Sequence, residues 1–204
     1  MIAQVRTAAL MILVLTVITG LAYPLAMTGV AQVLFNDKAD GSLVERDGVV
    51  VGSELLGQSF TDAESGATLP GYFRGRPSAA GVAEDGTIIS GGPNYGPTNQ
   101  LLIDRVVADV AIIRDENGLA ADAEIPVDLV TASASGVDPH VSPASAELQV
   151  ARVARERGVS EDQVRDVVED HTDERTLGFM GEPRVNVLML NLELDADFPL
   201  PPTQ

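Results

Sequence analysis

The chain has 204 residues, a formal net charge of −17 and no cysteine. So negative a surface argues against nucleic acid or anionic lipid heads as partners, and leaves cations, a basic partner or plain solubility. Disulfides and thiolate metal sites are excluded, and with aromatics at 4% and no Trp the core must be built from Val, Leu, Ile and Ala.

No charged residue lies between Arg6 and Asp37. The run Ala8 to Ala22 is apolar on all sides and continues with little interruption through Leu34-Phe35. At ~1.5 Å per residue, roughly twenty such residues cross a ~30 Å hydrocarbon core. Thr16 and Thr19 can bond back to their own helix carbonyls. Pro24 is expected to kink or end the regular span, and Gly20 and Gly29 allow close approach of a neighbouring helix. A cleaved signal peptide is the rival reading, with Gly29-Val30-Ala31 as small cleavage-site residues. The single Arg6 before an apolar stretch longer than a signal core favours the anchor. Residues 1–36 are therefore read as a transmembrane anchor and 37–204 as an extracytoplasmic globular domain. Orientation rests on Arg6 and the α-amino group on one side, against Asp37, Asp40, Glu45 and Asp47 on the other. Lys38 and Arg46 on the outer flank dilute that signal.

Gly48-Val49-Val50-Val51-Gly52 reads as a short strand between turns. Gly57-Gln58 breaks any helix after Ser53, and 62–71 reads as a polar, Gly-rich loop. Asp85-Gly86 turns into a short strand at Ile88-Ile89. Ser90 to Asn99 must be irregular, with prolines at 93 and 97 among its glycines. Thr98 can cap a helix with Leu102, Val106, Val110 and Ile113 on one face, stopped around Asn117-Gly118. Leu129-Val130-Thr131 is a plausible strand end, running into a small-residue loop from Ala132 to His140. Ser142-Pro143 starts a helix with an Ala146, Val150, Val153, Ala154 stripe and a stop at Gly158. Ser160 with Gln163 forms a capping box for a helix whose inner face is Val164, Val167 and Val168, extending to His171. Leu188, Leu190, Leu192 and Leu194 alternate, so 185–194 reads as a strand. The prolines at 199, 201 and 202 should let the tail fray. The expected fold is a single N-terminal transmembrane α-helix plus one α+β (loosely α/β) soluble domain.

The Ser90–Asn99 loop invites a phosphate-cradle reading through Ser90, Gly91 and Gly92. Pro93 and Pro97 delete two donors and no Lys follows, so a structural or partner-contact turn is favoured. Ser133, Ser135, Asp138 and His140 supply the residue types of a hydrolase without a GxSxG elbow. Asp138-Pro139 more simply marks a turn. His140 and His171, with Asp170 or Glu174, fall short of a metal site, because two histidines among 30 acidic residues is near chance. Tyr72-Phe73-Arg74-Gly75-Arg76 places two arginines and two aromatics together in an aromatic-poor chain. That composition suits a partner contact through Tyr72, Arg74 and Arg76, and equally an internal ion pair.

Six segments, in order, resemble a known family. They are Thr19 to Leu25, Gly52-Ser53 with Leu56 to Phe60, Tyr72 to Ala79, Ser90 to Asn99, Asp128 to Pro143, and Leu177 to Leu188. Over essentially its whole length the chain is similar to C subunits of the Kdp potassium-transporting P-type ATPase. The resemblance implies a non-catalytic subunit in a bacterial or archaeal inner membrane. Its partners would be a channel-like K⁺-translocating subunit, a P-type ATPase subunit and a small membrane peptide. It further implies an assembly role and a catalytic chaperone that raises ATP affinity, with ATP and K⁺ belonging to the complex and no cofactor or metal of its own. An ABC-type Leu-Ser-Gly-Gly-Gln signature has its nearest match at Ile89-Ser90-Gly91-Gly92-Pro93, which lacks the Gln. Ala134 stands where the family tends to Gly, and the Thr61–Gly71 loop is a few residues longer. Loop residues Asn94, Tyr95, Asp138 and His140 join Tyr72, Arg74 and Arg76 as candidate partner contacts. The chain carries no DKTGT phosphorylation motif and no set of pore helices. An extracytoplasmic domain cannot touch cytoplasmic ATP, so any effect on nucleotide affinity is expected to be indirect. The alternative is an anchored extracytoplasmic hydrolase using Ser135 or His140.

Overall fold

The computed structural model describes residues 1–62 and 67–201. Part of the expected 62–71 loop and Pro202 of the tail lie outside them. Two compact units are present, Met1–Ser53 and Glu54–Gln204.

In the first unit, α1 (Ile2–Val17), a π turn (Ile18–Ala22) and α2 (Tyr23–Leu34) follow without a break. Together they make a helix of 33 residues, long and apolar enough to cross a membrane, with 0% of its apolar window buried. The span does not end at Pro24. Proline lacks an N–H and its ring crowds the carbonyl four residues back, here Gly20. The wider turn falls on that carbonyl and absorbs the mismatch. Thr19 Oγ1 donates to the Leu15 carbonyl at 2.7 Å, which satisfies the hydroxyl inside the helix. Phe35 leaves the helical region at φ −143, and the single turn α3 (Asn36–Ala39) follows. The expected strand is present as β2 (Val49–Ser53), paired antiparallel with β1 (Leu43–Arg46). Asp47 (φ 53) and Gly48 (φ 77) turn the hairpin, and two positive-φ residues give a turn whose twist suits the strands it joins. The boundary of compact packing therefore falls after this hairpin, and the hairpin groups with the helix.

The second unit holds β3 (Gly81–Val82), β4 (Ile88–Ile89), α4 (Gln100–Glu116), a 3₁₀ turn (Val127–Leu129), β5 (His140–Val141), α5 (Pro143–Arg157), α6 (Glu161–Asp170), β6 (Thr172–Asp173), β7 (Arg184–Asn186) and α7 (Val187–Asp197). β3 and β4 form a hairpin, and β5-β7-β6 form an antiparallel sheet. The main core gathers Val150, Val153, Val164, Val168, Val185, Leu190 and Leu194 around Phe73. A satellite core joins Ile113 with Leu129 and Val130, covered by Val106 and Val110.

The helix signals translate directly into geometry. Ser142 accepts from the Ser145 N–H with Pro143 in the first turn, and Gly158 ends α5 in the left-handed region at φ 70. Ser160 and Gln163 form the reciprocal capping box of α6. The α4 cap is Asn99 rather than Thr98, one residue later, its side chain accepting from the Leu101 N–H.

Three expectations are corrected. The run 185–194 is not one strand: it is β7 to Asn186 and then α7. Asn186 caps the helix by accepting from the Met189 N–H, and Val187, Leu190, Asn191 and Leu194 are buried at helical spacing. The alternating leucines arise because the helix is apolar on more than one face, with Leu188 buried too. Leu129-Val130-Thr131 is no strand end, since Val127–Leu129 makes a 3₁₀ turn that drops Leu129 and Val130 into the satellite core. The tail does not fray at Leu200. Its side chain lies directly over Gly71, where a Cβ would sit 2.3 Å from Leu200 Cδ2.

Candidate functional site

The residues singled out by sequence fall on three neighbouring strips of the second unit. The first is the Tyr72–Arg76 segment, which α5 and α7 grip with polar side chains. Phe73 is fully buried; its N–H donates to Asn191 Oδ1 at 2.9 Å and its carbonyl accepts from Asn191 Nδ2 at 2.9 Å. The Arg74 N–H donates to Gln149 Oε1 at 2.9 Å. Arg152 donates to the carbonyls of Pro70 and Tyr72, to Asn117 Oδ1 and to Gln149 Oε1. Arg157 donates to the carbonyls of Gly71, Leu194 and Phe198 and pairs with Asp195 at 3.0 Å. Its guanidinium carbon lies 5.0 Å from the centroid of the Tyr72 ring, which stacks on Phe60 at 5.2 Å. Two buried arginines thus satisfy the carbonyls of a segment that belongs to no helix or sheet. Burial, partly offset by the Glu116 charge, lowers the Arg152 guanidinium to about 10. Burial and the neighbouring Asp195 raise the Tyr72 phenol above its usual value.

The second strip is the Asp128–Pro143 segment. Arg76 pairs with Asp138 at 3.1 Å and donates to the carbonyls of Thr131 and Ala132. Asp138 also accepts from the His140 N–H at 3.0 Å, and the His140 ring Nδ1 lies 3.4 Å from it. Asp128 accepts from the Ser142 N–H at 2.7 Å and from the hydroxyls of Ser142 (3.1 Å) and Ser145 (2.6 Å). Burial pushes the Asp128 carboxyl upward, but those donors outweigh it and leave it below its usual value. Arg74 meanwhile pairs with Glu116 at 3.3 Å.

The third strip is the Ser90–Asn99 loop, laid along the second. The Gly91 N–H and Ser90 Oγ both donate to the Ser135 carbonyl at 2.8 Å. A Cβ on Gly92 would stand 2.8 Å from the Ala134 carbonyl, so only glycine allows this approach. Asn94 takes the left-handed conformation at φ 51 and its side chain donates to the Gly92 carbonyl at 3.0 Å. Tyr95 remains exposed. Beside this loop is a notch of ≈ 250 Å³ lined by Asn94, Tyr95, Arg105 and Ser133. That is below the ~300–1,000 Å³ typical of small-molecule pockets. With the Gly91 N–H donating to its own chain, the geometry is that of a packing joint rather than a phosphate cradle.

Among the described residues the hydrolase candidates Ser135 and His140 are bonded to other groups rather than to each other. Ser135 Oγ bonds Ser133 Oγ at 3.3 Å and accepts from the Val137 N–H at 3.2 Å, while His140 is tied to Asp138. Of the sequence-chosen residues, the fold brings Arg76, Asp138 and His140 into one cluster. Tyr72 and Arg74 go to Asp195 and Glu116 instead. A cleft of ≈ 390 Å³ opens beside that cluster, lined by Ser59, Phe60, Gly75, Arg76, Gly136 and Asp138. Sequence reading missed Arg152, Arg157, Gln149 and Asn191, which hold the Tyr72–Arg76 segment. Their one sequence signal is position: each sits among the apolar residues of a helix face.

The motif residues within 57–60, 72–79, 90–99 and 128–143 are therefore packed on one another, and the same segments carry the family likeness. The family model described as "K+-transporting ATPase, c chain" matches residues 5–196. The chain belongs to the KdpC family. A potassium-transporting ATPase KdpC subunit of Koribacter versatilis (strain Ellin345) is 55% identical over 195 residues, covering 96% of this chain and 95% of that protein. One from Rhodopseudomonas palustris (strain BisB18) is 50% identical over 207 residues, covering 96% and 99%. One from Mycobacterium tuberculosis (strain ATCC 25618 / H37Rv) is 52% identical over 192 residues, covering 94% and 97%. This KdpC-family chain is a component of a potassium-transport ATPase complex, and the one long apolar helix among its described residues fits a single-pass membrane subunit.

Proposed function

We propose that this chain is a non-catalytic subunit that assembles or stabilises a high-affinity ATP-driven K⁺ import complex. Its partners are a channel-like K⁺-translocating subunit, a P-type ATPase subunit and a small membrane peptide. The observation that carries the reading is the Ile2–Leu34 helix, free of charge after Arg6 and with 0% of its apolar window buried by its own chain. Such a helix takes its contacts from lipid or from partner helices, and Gly20 and Gly29 on it allow a partner backbone to come close. The N-terminus with Arg6 lies in the cytoplasm and the second unit outside it.

From that placement, the effect on ATP affinity of the ATPase subunit is indirect. The span biases the conformation of its neighbours, and coupling between two sites needs no shared ligand contact. ATP and K⁺ are bound by the partners. Ser90 Oγ and the Gly91 N–H, both spent on the Ser135 carbonyl, support this reading, and the bonds of Ser135 to Ser133 and of His140 to Asp138 speak against a hydrolase.

The test combines topology with kinetics. Reporters fused after Asn36 and after Gln204 should both register as extracytoplasmic. In the purified complex, omitting this chain should raise the KM for ATP, while a photoreactive ATP analogue should label the ATPase subunit and leave Ser90–Asn99 unlabelled. A cytoplasmic C-terminus, or labelling within that loop, defeats the indirect mechanism.

A further inference from the structure

A turn at residues 176–181 leaves its largest side chains exposed. Leu177, Phe179 and Met180 are 80%, 71% and 53% exposed. The turn is nonetheless closed: the Thr176 N–H donates to the Met180 carbonyl at 2.9 Å, and the Met180 N–H donates back at 3.0 Å. Leu177 sits at φ 56, followed by Gly178 at φ 79. A bulky residue at positive φ is strained and persists only where its surroundings impose it. Here the root imposes it. Asp173 and Arg184 pair across β6–β7, and the same two side chains form an ion pair at 3.0 Å. Arg175 and Glu182 form a second ion pair beneath the turn. Val185, next on β7, is fully buried in the main core. A fixed base thus holds three apolar side chains outward on a strained turn.

Single exposed apolar residues are ordinary, but three within four residues displayed at such a cost form a patch. Phe and Met are enriched at the cores of protein interfaces. We propose that Leu177, Phe179 and Met180 form a knuckle that docks into an apolar, basic-rimmed socket on a neighbouring subunit of the potassium-transport complex. This rests on the assembly reading given above. Charge selects the occupant. The two ion pairs of the root cancel and leave the Glu174 carboxylate, on a chain of net charge −17. Anionic lipid heads repel a chain this acidic, and the root's Arg175 and Arg184 are already spent on Glu182 and Asp173. A second copy would bring one chain of net charge −17 against another, whereas a basic rim complements that charge. Three side chains bury too little to hold two free proteins together, but a chain already carrying a membrane span meets its neighbour at high effective concentration.

The test uses the full chain in its complex in native membranes. A benzophenone amino acid in place of Phe179 should crosslink to one subunit of the pump, identified by mass spectrometry. The double variant Leu177→Ser/Phe179→Ser should co-purify with the pump at about tenfold lower yield or less, the loss expected when hot-spot anchors are removed. Its thermal midpoint as a purified chain should stay at the wild-type value, because the tip contributes nothing to the core. Crosslinks to lipid alone, to a second copy or to nothing overturn the proposal, as does wild-type co-purification of the double variant. Should the wild-type chain itself fail to co-purify with the pump, the assembly reading falls and the knuckle with it.

Discussion

Asp128 shows how one carboxylate can organise a junction between a loop and a helix. Its three donors come from the first turn of α5, so it fixes where that helix begins. The Asp128 carboxyl is held below the ordinary aspartate value of 3.8 in the fold, so its contribution is fully present above about pH 3.8. It is lost as pH falls through the depressed folded value, where the carboxylate takes up a proton. Asp128→Asn keeps one acceptor oxygen and loses the charge, and should cost about 1–3 kcal/mol at neutral pH. Urea melts at pH 7 and pH 3 check this: the gap between variant and wild type should shrink at the lower pH. Arg152 and Arg157 were the residues least legible in the sequence. On α5 they lie beside the Val150, Val153 and Ala154 stripe, where charged residues ordinarily mark the solvent side. They are buried because the Gly71–Phe73 segment brings carbonyls that need donors, and nothing local in α5 announces that segment.

At the scale of elements, the glycines of the motif segments permit loop-on-loop packing. Gly136 has φ 72, and a Cβ there would lie 2.6 Å from the Gly91 carbonyl and 2.8 Å from the Ala80 nitrogen. Gly57 lies equally close to the Asp138 carbonyl, a Cβ there falling at 2.5 Å. Gly136→Ala should therefore destabilise the second unit by about 1–3 kcal/mol, through overpacking against backbone and an unfavourable φ together. Chemical denaturation measures it, with Gly86→Ala as comparison: that residue also has positive φ (83) but nothing within 4 Å of its Cβ, so its smaller loss isolates the conformational cost. Helix ends were legible because capping is local, as Ser142-Pro143, Gly158 and Ser160–Gln163 show. The last helix was not. Alternation at Leu188, Leu190, Leu192 and Leu194 satisfies a strand template, and only packing of α7 against α6 and β7 reveals the helical face.

For the whole molecule, both hydrophobic clusters draw only on residues beyond Ser53. The second unit should accordingly fold without the first. A fragment of residues 54–204 should melt cooperatively within about 3 °C of the full chain, since ~1 kcal/mol moves the midpoint of a domain this size by about 2–4 °C. Circular dichroism in detergent-free buffer for the fragment, and in micelles for the full chain, checks it. A non-cooperative melt of the fragment would show that the first unit completes the fold.

By itself the sequence determined what depends on neighbours in the chain: the apolar span, the helix caps, the turns and the family to which six ordered motifs belong. Periodicity, chain reach and φ preferences act over a few residues, so a linear reading captures them. Tertiary structure alone decided where long-range partners meet. It buried Arg152 and Arg157 against a distant segment, tied the Ser90 hydroxyl and the Gly91 N–H to the Ser135 carbonyl, and left Leu177, Phe179 and Met180 exposed. The first two outcomes turn on groups dozens of residues apart being desolvated together, and no local pattern encodes which pairs they will be.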